Sequence, residues 1–151
     1  MFNEEIKQSV ADCVLCWLAT VDKNGVPSVS PKEVFLTFAE NEIIIANIAS
    51  PDSVRNINQK PQVCVSFVDV FKQKGFKMKG DAMEMTQANS GYKPRYHASN
   101  DFAGGQYPIK SLIKIEIKSV RPIVAPSYYL SADITEEKQI QAALKTYGVK
   151  I

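Results

Sequence analysis

The feature that most constrains the fold of this chain is a series of short strand-like segments joined by turns. The segment "QVCVSFVDV" shows it best, because Val63, Val65 and Phe67 alternate with residues of the opposite face. Further strands are predicted at 17–21, from Val26 onward, at 43–49, at 76–86 and at 109–125. Turns rather than helices link most of them, which argues against a parallel sheet and favours an antiparallel barrel.

Helices are predicted between and around these six strands. They cover residues 3 to about 12, about 51–59, 88–98, and a C-terminal segment that opens on Thr135 and ends at Gly148. The stretch 99–108 is predicted to be a loop. The fold class is therefore mainly β: a six-stranded antiparallel β-barrel with flanking helices, in a single domain spanning residues 1–151.

Composition narrows the classes of function. The chain has 151 residues, 45% hydrophobic and 23% charged, with a formal net charge of +2. That charge is too small to favour nucleic acid, and the apolar runs are too short to cross a membrane. Three cysteines do not form a disulfide framework, and we expect a cytoplasmic protein.

The segment "ASPDSVRNINQKP" (49–61) carries the main candidate site. A helix start presents unpaired backbone N–H groups and a positive dipole end, which together favour an anion. Ser50 and Ser53 supply hydroxyl groups there, and Arg55 supplies a charge. The alternative is an ordinary helix cap with a solvated arginine.

Two further segments are candidates. In "SPKEVF", Pro31 indicates an edge strand or a bulge, and Lys32 and Glu33 point to opposite faces, so one of these charges is expected to face inward. In "VFKQKGF", Gln73, Lys74 and Gly75 lie at a strand break, where donors can reach a ligand. The alternatives are a solvated edge strand and a plain charged turn.

Metal and acid–base chemistry have little support in the sequence. Cys13 and Cys16 have only Cys64 and a single histidine, His97, as further soft ligands, so buried small side chains are the preferred interpretation. His97 is expected at the surface. No carboxylate pair or nucleophile–base set is evident, which favours a binding protein or a cofactor that supplies its own chemistry.

The order of "WLATVDKNGVPSVSPK", "IIIANIA", "SPDSVRNINQKP" and "VCVSFVDVFKQKGFKMKGDA" resembles the flavin-binding proteins related to pyridoxamine 5′-phosphate oxidase. The resemblance is closest to the small predicted flavin-nucleotide-binding branch. It implies a split barrel that forms a homodimer with FMN at the subunit interface. The oxidase's C-terminal substrate segment has no counterpart here, so we do not expect the vitamin-B6 oxidase reaction.

The resemblance also implies a role for each candidate residue. The phosphate would lie at Ser50, Ser53, Val54 and Arg55, with Lys32 reaching the phosphate or the ribityl chain. The backbone near Pro31 and Glu33, and Ile48 with Ala49, would border the isoalloxazine ring. Gln73, Lys74 and Gly75 would come from the partner subunit.

The expected function is that of a flavin-dependent oxidoreductase of unknown substrate. The alternatives are a non-catalytic flavin-binding or electron-transfer protein and a deazaflavin-binding protein. A haem-binding barrel and an oligonucleotide-binding barrel rank lower. For the last, Phe76 and Met78 share one strand face while Lys77 and Lys79 share the other, so aromatic and basic residues are segregated.

Overall fold

A computed structural model describes residues 1–150, which form a seven-stranded antiparallel sheet with five helices around it. The strands are β1 Cys16–Val21, β2 Pro27–Lys32, β3 Phe35–Phe38, β4 Glu42–Asn47, β5 Gln62–Asp69, β6 Lys74–Met85 and β7 Ser111–Val124. The helices are α1 Glu4–Asp12, α2 Pro51–Gln59, α3 Tyr92–Phe102, α4 Ser127–Leu130 and α5 Glu136–Tyr147.

The strand order shows that the sheet is strongly curled. It runs β2-β1-β5-β6-β7-β4-β3, so β2 and β3 lie at opposite edges. Yet β2 ends at Lys32 and β3 begins at Phe35. Three Cα–Cα steps span at most roughly 11 Å, so the two edges must approach each other. The predicted mainly β, split-barrel architecture is confirmed.

The strand count differs from the six predicted. The chain bends at Glu33 and Val34, which divides the predicted second strand into β2 and β3. β2 pairs with β1, whereas β3 pairs with β4 on the far edge. The sequence pattern continues through the bend, so the change of partner strand is not visible in it.

The larger of two hydrophobic clusters lies on one face of the curled sheet. Alternation in β5 buries Val63, Val65 and Phe67 as predicted. The same cluster contains residues from most of the other strands and from two helices: Leu18, Phe35, Ile43, Ile45, Met78, Ile113, Ile115, Ile117, Ile6, Val10 and Ile57. Helices α1 and α2 therefore pack on the core, which fixes the start of α2 against the sheet.

Three predicted helix ends are confirmed by their caps. Asn3 caps α1 by accepting a hydrogen bond from the Ile6 N–H at 2.9 Å. Thr135 caps α5 in the same way at the Lys138 N–H, and Gly148 ends it with φ of 68°.

Helix α3 begins later than the predicted residue 88. The Asn89 side-chain oxygen accepts from the Thr86 N–H at 2.8 Å, so a local turn replaces the helix there. Gly91, with φ of 77°, precedes the first helical residue. The helix continues to Phe102, so the first four residues of the predicted 99–108 loop are helical.

Candidate functional site

The start of α2 is an uncapped helix terminus. Ser50 occupies the N-cap position, but its side chain makes no capping hydrogen bond. The Val54 N–H is the first to donate within the helix, to the Ser50 carbonyl oxygen at 3.1 Å. Pro51 has no N–H, so the N–H groups of Asp52 and Ser53 remain without an intrahelical partner. Two donors and the positive end of the helix dipole are available to an anion.

Lys32 brings a buried ammonium group to this helix start. It is only 8% exposed, and its Nζ donates to Ser50 Oγ at 2.6 Å. Burial lowers the pKa of Lys32 below its ordinary value. A cation held in such a place favours an anionic partner.

Two more hydroxyl groups join Lys32 and Ser50. The Oγ atoms of Ser30, on β2, and Ser53, on α2, lie 3.2 Å apart. We call Ser30, Lys32, Ser50 and Ser53 the hydroxyl–lysine cluster. Contacts between β2 and α2 hold it together, although the two elements are separated in the chain by β3 and β4.

Asn47 orients the loop that carries Ser50. Its Nδ2 donates to Ser111 Oγ at 2.8 Å, and its Oδ1 accepts the Ser50 N–H at 3.2 Å. Both Asn47 and Ser111 are buried. Sequence reasoning missed Ser30, Asn47 and Ser111. The asparagine at the end of the apolar run "EIIIAN" was the available signal, because a buried amide needs partners.

The residues beside the cluster have varied positions. Arg55 is 62% exposed in its side chain and pairs with Asp52 at 2.7 Å, without a hydrogen bond to the cluster. Val54 packs against the core. Ile48 is half-buried and Ala49 is exposed, in the bend between β4 and α2. The structure brings Lys32, Ser50 and Ser53 together and leaves Arg55 at the rim.

The edge-strand predictions for β2 are confirmed. Pro31 lies in β2, which is at the edge of the sheet beside β1, and it faces Trp17 there. Of the adjacent charges, Lys32 is buried and Glu33 is exposed. The inward charge is therefore the lysine.

The segment 73–75 lies apart from the cluster within one chain, because β1 and β5 separate β6 from β2. Lys74 Nζ pairs with Glu136 at 3.1 Å. Gly75 has a structural reason to be glycine, since an added Cβ would collide with the backbone oxygen of Phe67. Any contribution from this segment to the cluster requires a second copy of the chain.

Cys13 and Cys16 are buried, as predicted. Burial raises the pKa of the Cys13 thiol to about 11 and that of Cys16 to about 12. Both thiols stay protonated at neutral pH and pack in the core. His97 is exposed on α3, as predicted.

The family model described as pyridoxamine 5′-phosphate oxidase matches residues 2–123. The chain belongs to this family. No curated protein sequence matches it significantly. The family match covers every residue of the hydroxyl–lysine cluster and ends just before the C-terminal residue of β7.

Solved structures share the fold at low sequence identity. HupZ from Group A Streptococcus aligns with a TM-score of 0.69 and 23% identity, over 80% of this chain and 92% of that chain. An FMN-binding protein from Syntrophomonas wolfei subsp. wolfei has a TM-score of 0.64 and 15% identity, over 81% and 86%. A FAD-binding protein from Mesorhizobium loti has a TM-score of 0.64 and 15% identity, over 81% and 94%. At these identities the likeness establishes the fold.

Helices of membrane-spanning length and hydropathy are absent from residues 1–150.

Proposed function

We propose that this family member binds FMN, with the phosphate at the hydroxyl–lysine cluster and the start of α2. The observation that carries the proposal is the buried Lys32 ammonium, 2.6 Å from a serine hydroxyl at an uncapped helix start. None of the ion pairs among residues 1–150 includes Lys32, so its charge lacks a carboxylate. A phosphate would supply the missing negative charge.

The donor set fits a phosphate monoester. Lys32, the Ser50 and Ser53 hydroxyl groups, and the N–H groups of Asp52 and Ser53 converge from two elements. Arg55, one helical turn away at the rim, adds positive charge once it leaves Asp52. The ring would extend past Ile48 and Ala49 along the backbone of Pro31 and Glu33.

When bound, the flavin supplies reversible electron and hydride transfer. The chain's own residues then act by position and charge. Lys32 holds a proton that balances the phosphate, and Asn47 fixes the backbone N–H of Ser50. The cluster consists of hydroxyl groups and one lysine, and the proposal assigns that lysine to the phosphate. We therefore propose a flavin-dependent oxidoreductase whose redox chemistry resides on the cofactor.

The same observation favours a second candidate, a flavin carrier or electron-transfer protein without a dedicated substrate. Steady-state oxidation of reduced nicotinamide by the FMN-loaded protein separates the two. Turnover above that of free FMN supports the enzyme, and its absence supports the carrier. The three free cysteines fit the reducing cytoplasm, where we place the protein.

The proposal includes a homodimer, because the outward face of β1 and β2 is apolar. Trp17 is 46% and Val29 is 59% exposed, and register places them on the same side of the sheet with Pro31. Exposed apolar residues on adjoining strands are typical of an interface.

We expect Trp17→Lys to give monomers by sedimentation velocity, whereas Val26→Lys, in the β1–β2 turn, leaves the dimer intact. If the Trp17→Lys variant still sediments as a dimer, the subunits do not associate through this face.

The visible spectrum of the purified protein, followed by identification of any flavin that heat releases, tests the cofactor. We expect flavin absorption bands and FMN in the supernatant, or uptake of added FMN by protein purified without it. Release of FAD or a deazaflavin instead would change the identity of the cofactor, but the site would still be one for a flavin-type cofactor. A colourless protein that takes up none of the three contradicts the proposal.

A further inference from the structure

The chain beyond β7 folds back onto the turn between β5 and β6. The family match ends at residue 123, so α4 and α5 lie outside it. We call residues 125–147 the C-terminal clamp and Val70–Gln73 the β5–β6 turn. The turn immediately precedes Lys74 and Gly75, and the family resemblance implies that these two residues reach the flavin of a second subunit.

Two hydrogen bonds from the clamp reach the turn backbone, in addition to those that Asp69 accepts from the N–H groups of the turn. The Ala125 N–H donates to the Gln73 carbonyl oxygen at 3.0 Å, and Tyr128 Oη donates to the Lys72 carbonyl oxygen at 2.8 Å. Gln73 has φ of 55°, in the left-handed region that residues other than glycine rarely adopt. Such a conformation persists only where the surroundings enforce it, and here the clamp contributes two of the contacts.

Side chains of the clamp also fix the direction of Lys74. Its Nζ pairs with Glu136 Oε2 at 3.1 Å and lies 4.4 Å from the centre of the Tyr128 ring. Phe71 packs edge-to-face on Tyr147 with ring centres 6.3 Å apart. Ser127 Oγ donates to Gln139 Oε1 at 2.9 Å, which joins α4 to α5. The clamp is thus one connected unit.

We infer that the C-terminal clamp positions the β5–β6 turn and Lys74 for contact with the cofactor of the partner subunit. Tyr128 and Glu136 are then positioning residues, which act through the Lys72 carbonyl group and the Lys74 side chain and do not touch the flavin themselves. This inference rests on the proposed function. It assigns a task to a segment outside the family match.

The test uses the full chain carrying both Tyr128→Phe and Glu136→Gln. The phenylalanine keeps the ring under Lys74 but loses the hydroxyl group, and the glutamine keeps the length of Glu136 but loses its charge. The control is Glu137→Gln, one residue along the same helix, whose carboxylate accepts a hydrogen bond from the Gln141 side chain within α5. Hydrogen exchange of the ligand-free protein is measured at the Gln73 and Ala125 amides, with Ile115 in β7 reporting the intact barrel.

We expect the double variant to lose roughly tenfold protection at Ala125 and to release FMN roughly fivefold faster, while Ile115 and the Glu137→Gln control match the wild type. Lost protection with an unchanged FMN dissociation rate overturns the inference, and so does unchanged protection. In both cases the proposed function stands, because the wild type still binds FMN. Failure of the wild type to bind FMN overturns the proposed function itself.

Discussion

Two clusters in this protein each contain a buried charged residue, and they differ in whether that residue has an oppositely charged partner. Around Glu42, Arg95 donates from Nε and Nη2 at 2.9 Å each, and Lys114 Nζ lies at 3.5 Å. The Arg95 guanidinium also donates to the Gly91 carbonyl oxygen and stacks over Phe38 at 4.6 Å. Around Lys32, by contrast, the sole hydrogen-bond partner found within residues 1–150 is a neutral hydroxyl group.

The difference separates a structural charge from a binding charge. The carboxylate of Glu42 is satisfied by groups from α3 and β7, so this cluster joins a helix to the sheet. The ammonium of Lys32 is desolvated without a counter-charge, which costs folding free energy unless something else compensates. We propose that the protein tolerates this loss of folding free energy because Lys32 binds a ligand. Removing a charge should therefore have opposite effects on stability in the two clusters.

The largest effect is expected for Glu42→Gln. It leaves the guanidinium of Arg95, which is only 15% exposed in its side chain, without its carboxylate, and we expect the free energy of unfolding to fall by about 3 kcal/mol. Urea denaturation measures this, and FMN affinity of the folded variant should match the wild type. A loss below about 1 kcal/mol would show that the Glu42 cluster is no tighter than a surface ion pair.

Lys32→Met should act in the opposite direction on the ligand-free protein. Methionine fills similar space without a charge, so we expect the free energy of unfolding at neutral pH to rise by about 1 kcal/mol. The same urea experiment measures it. A destabilised variant would mean that the Lys32–Ser50 hydrogen bond outweighs the desolvation of the ammonium, and the contrast with Glu42 would be lost.

The pH dependence follows from the lowered pKa of Lys32. Between that pKa and the ordinary value of 10.5, the unfolded chain binds more protons than the folded one. The burial penalty is full below the lowered pKa and disappears as pH rises to 10.5, so stability rises in this window. FMN affinity should fall there, because the phosphate needs the protonated amine. Titrations across this range should show no corresponding slope in Lys32→Met.

The smallest effect is expected for Arg55→Ala. Its guanidinium is 62% exposed and already paired with Asp52, so solvent screens whatever it contributes to a phosphate. We expect FMN affinity to fall by about threefold, measured by fluorescence titration. A loss above thirtyfold would move the main phosphate contact from Lys32 to Arg55.

Local patterns in the sequence accounted for much of the fold and for part of the candidate site. Alternation located β5 and β7, and the helix start at Ser50 and Pro51 was placed correctly. The inward position of one charge in "SPKEVF" followed from the period of a strand. These features depend on neighbours within a few residues, which is why the sequence alone identifies them.

The remaining features depend on contacts between distant segments. Lys32 meets Ser50 across 18 residues, and Glu42 meets Arg95 across 53. The break at Glu33 exists because β2 and β3 pair with different strands, and nothing in "KEVF" records that. The C-terminal clamp was likewise missed, because its contacts with the β5–β6 turn join residues about 50 or more positions apart.

The central claim is that Lys32 at the start of α2 recognises the FMN phosphate. The most direct measurement compares the dissociation constants of FMN and riboflavin, which lacks the phosphate, for the wild type and Lys32→Gln. We expect the wild type to prefer FMN strongly, and the variant to lose about 10- to 100-fold of that preference while its riboflavin affinity stays unchanged. An FMN-to-riboflavin ratio that is the same in both proteins would contradict the claim and place the phosphate elsewhere.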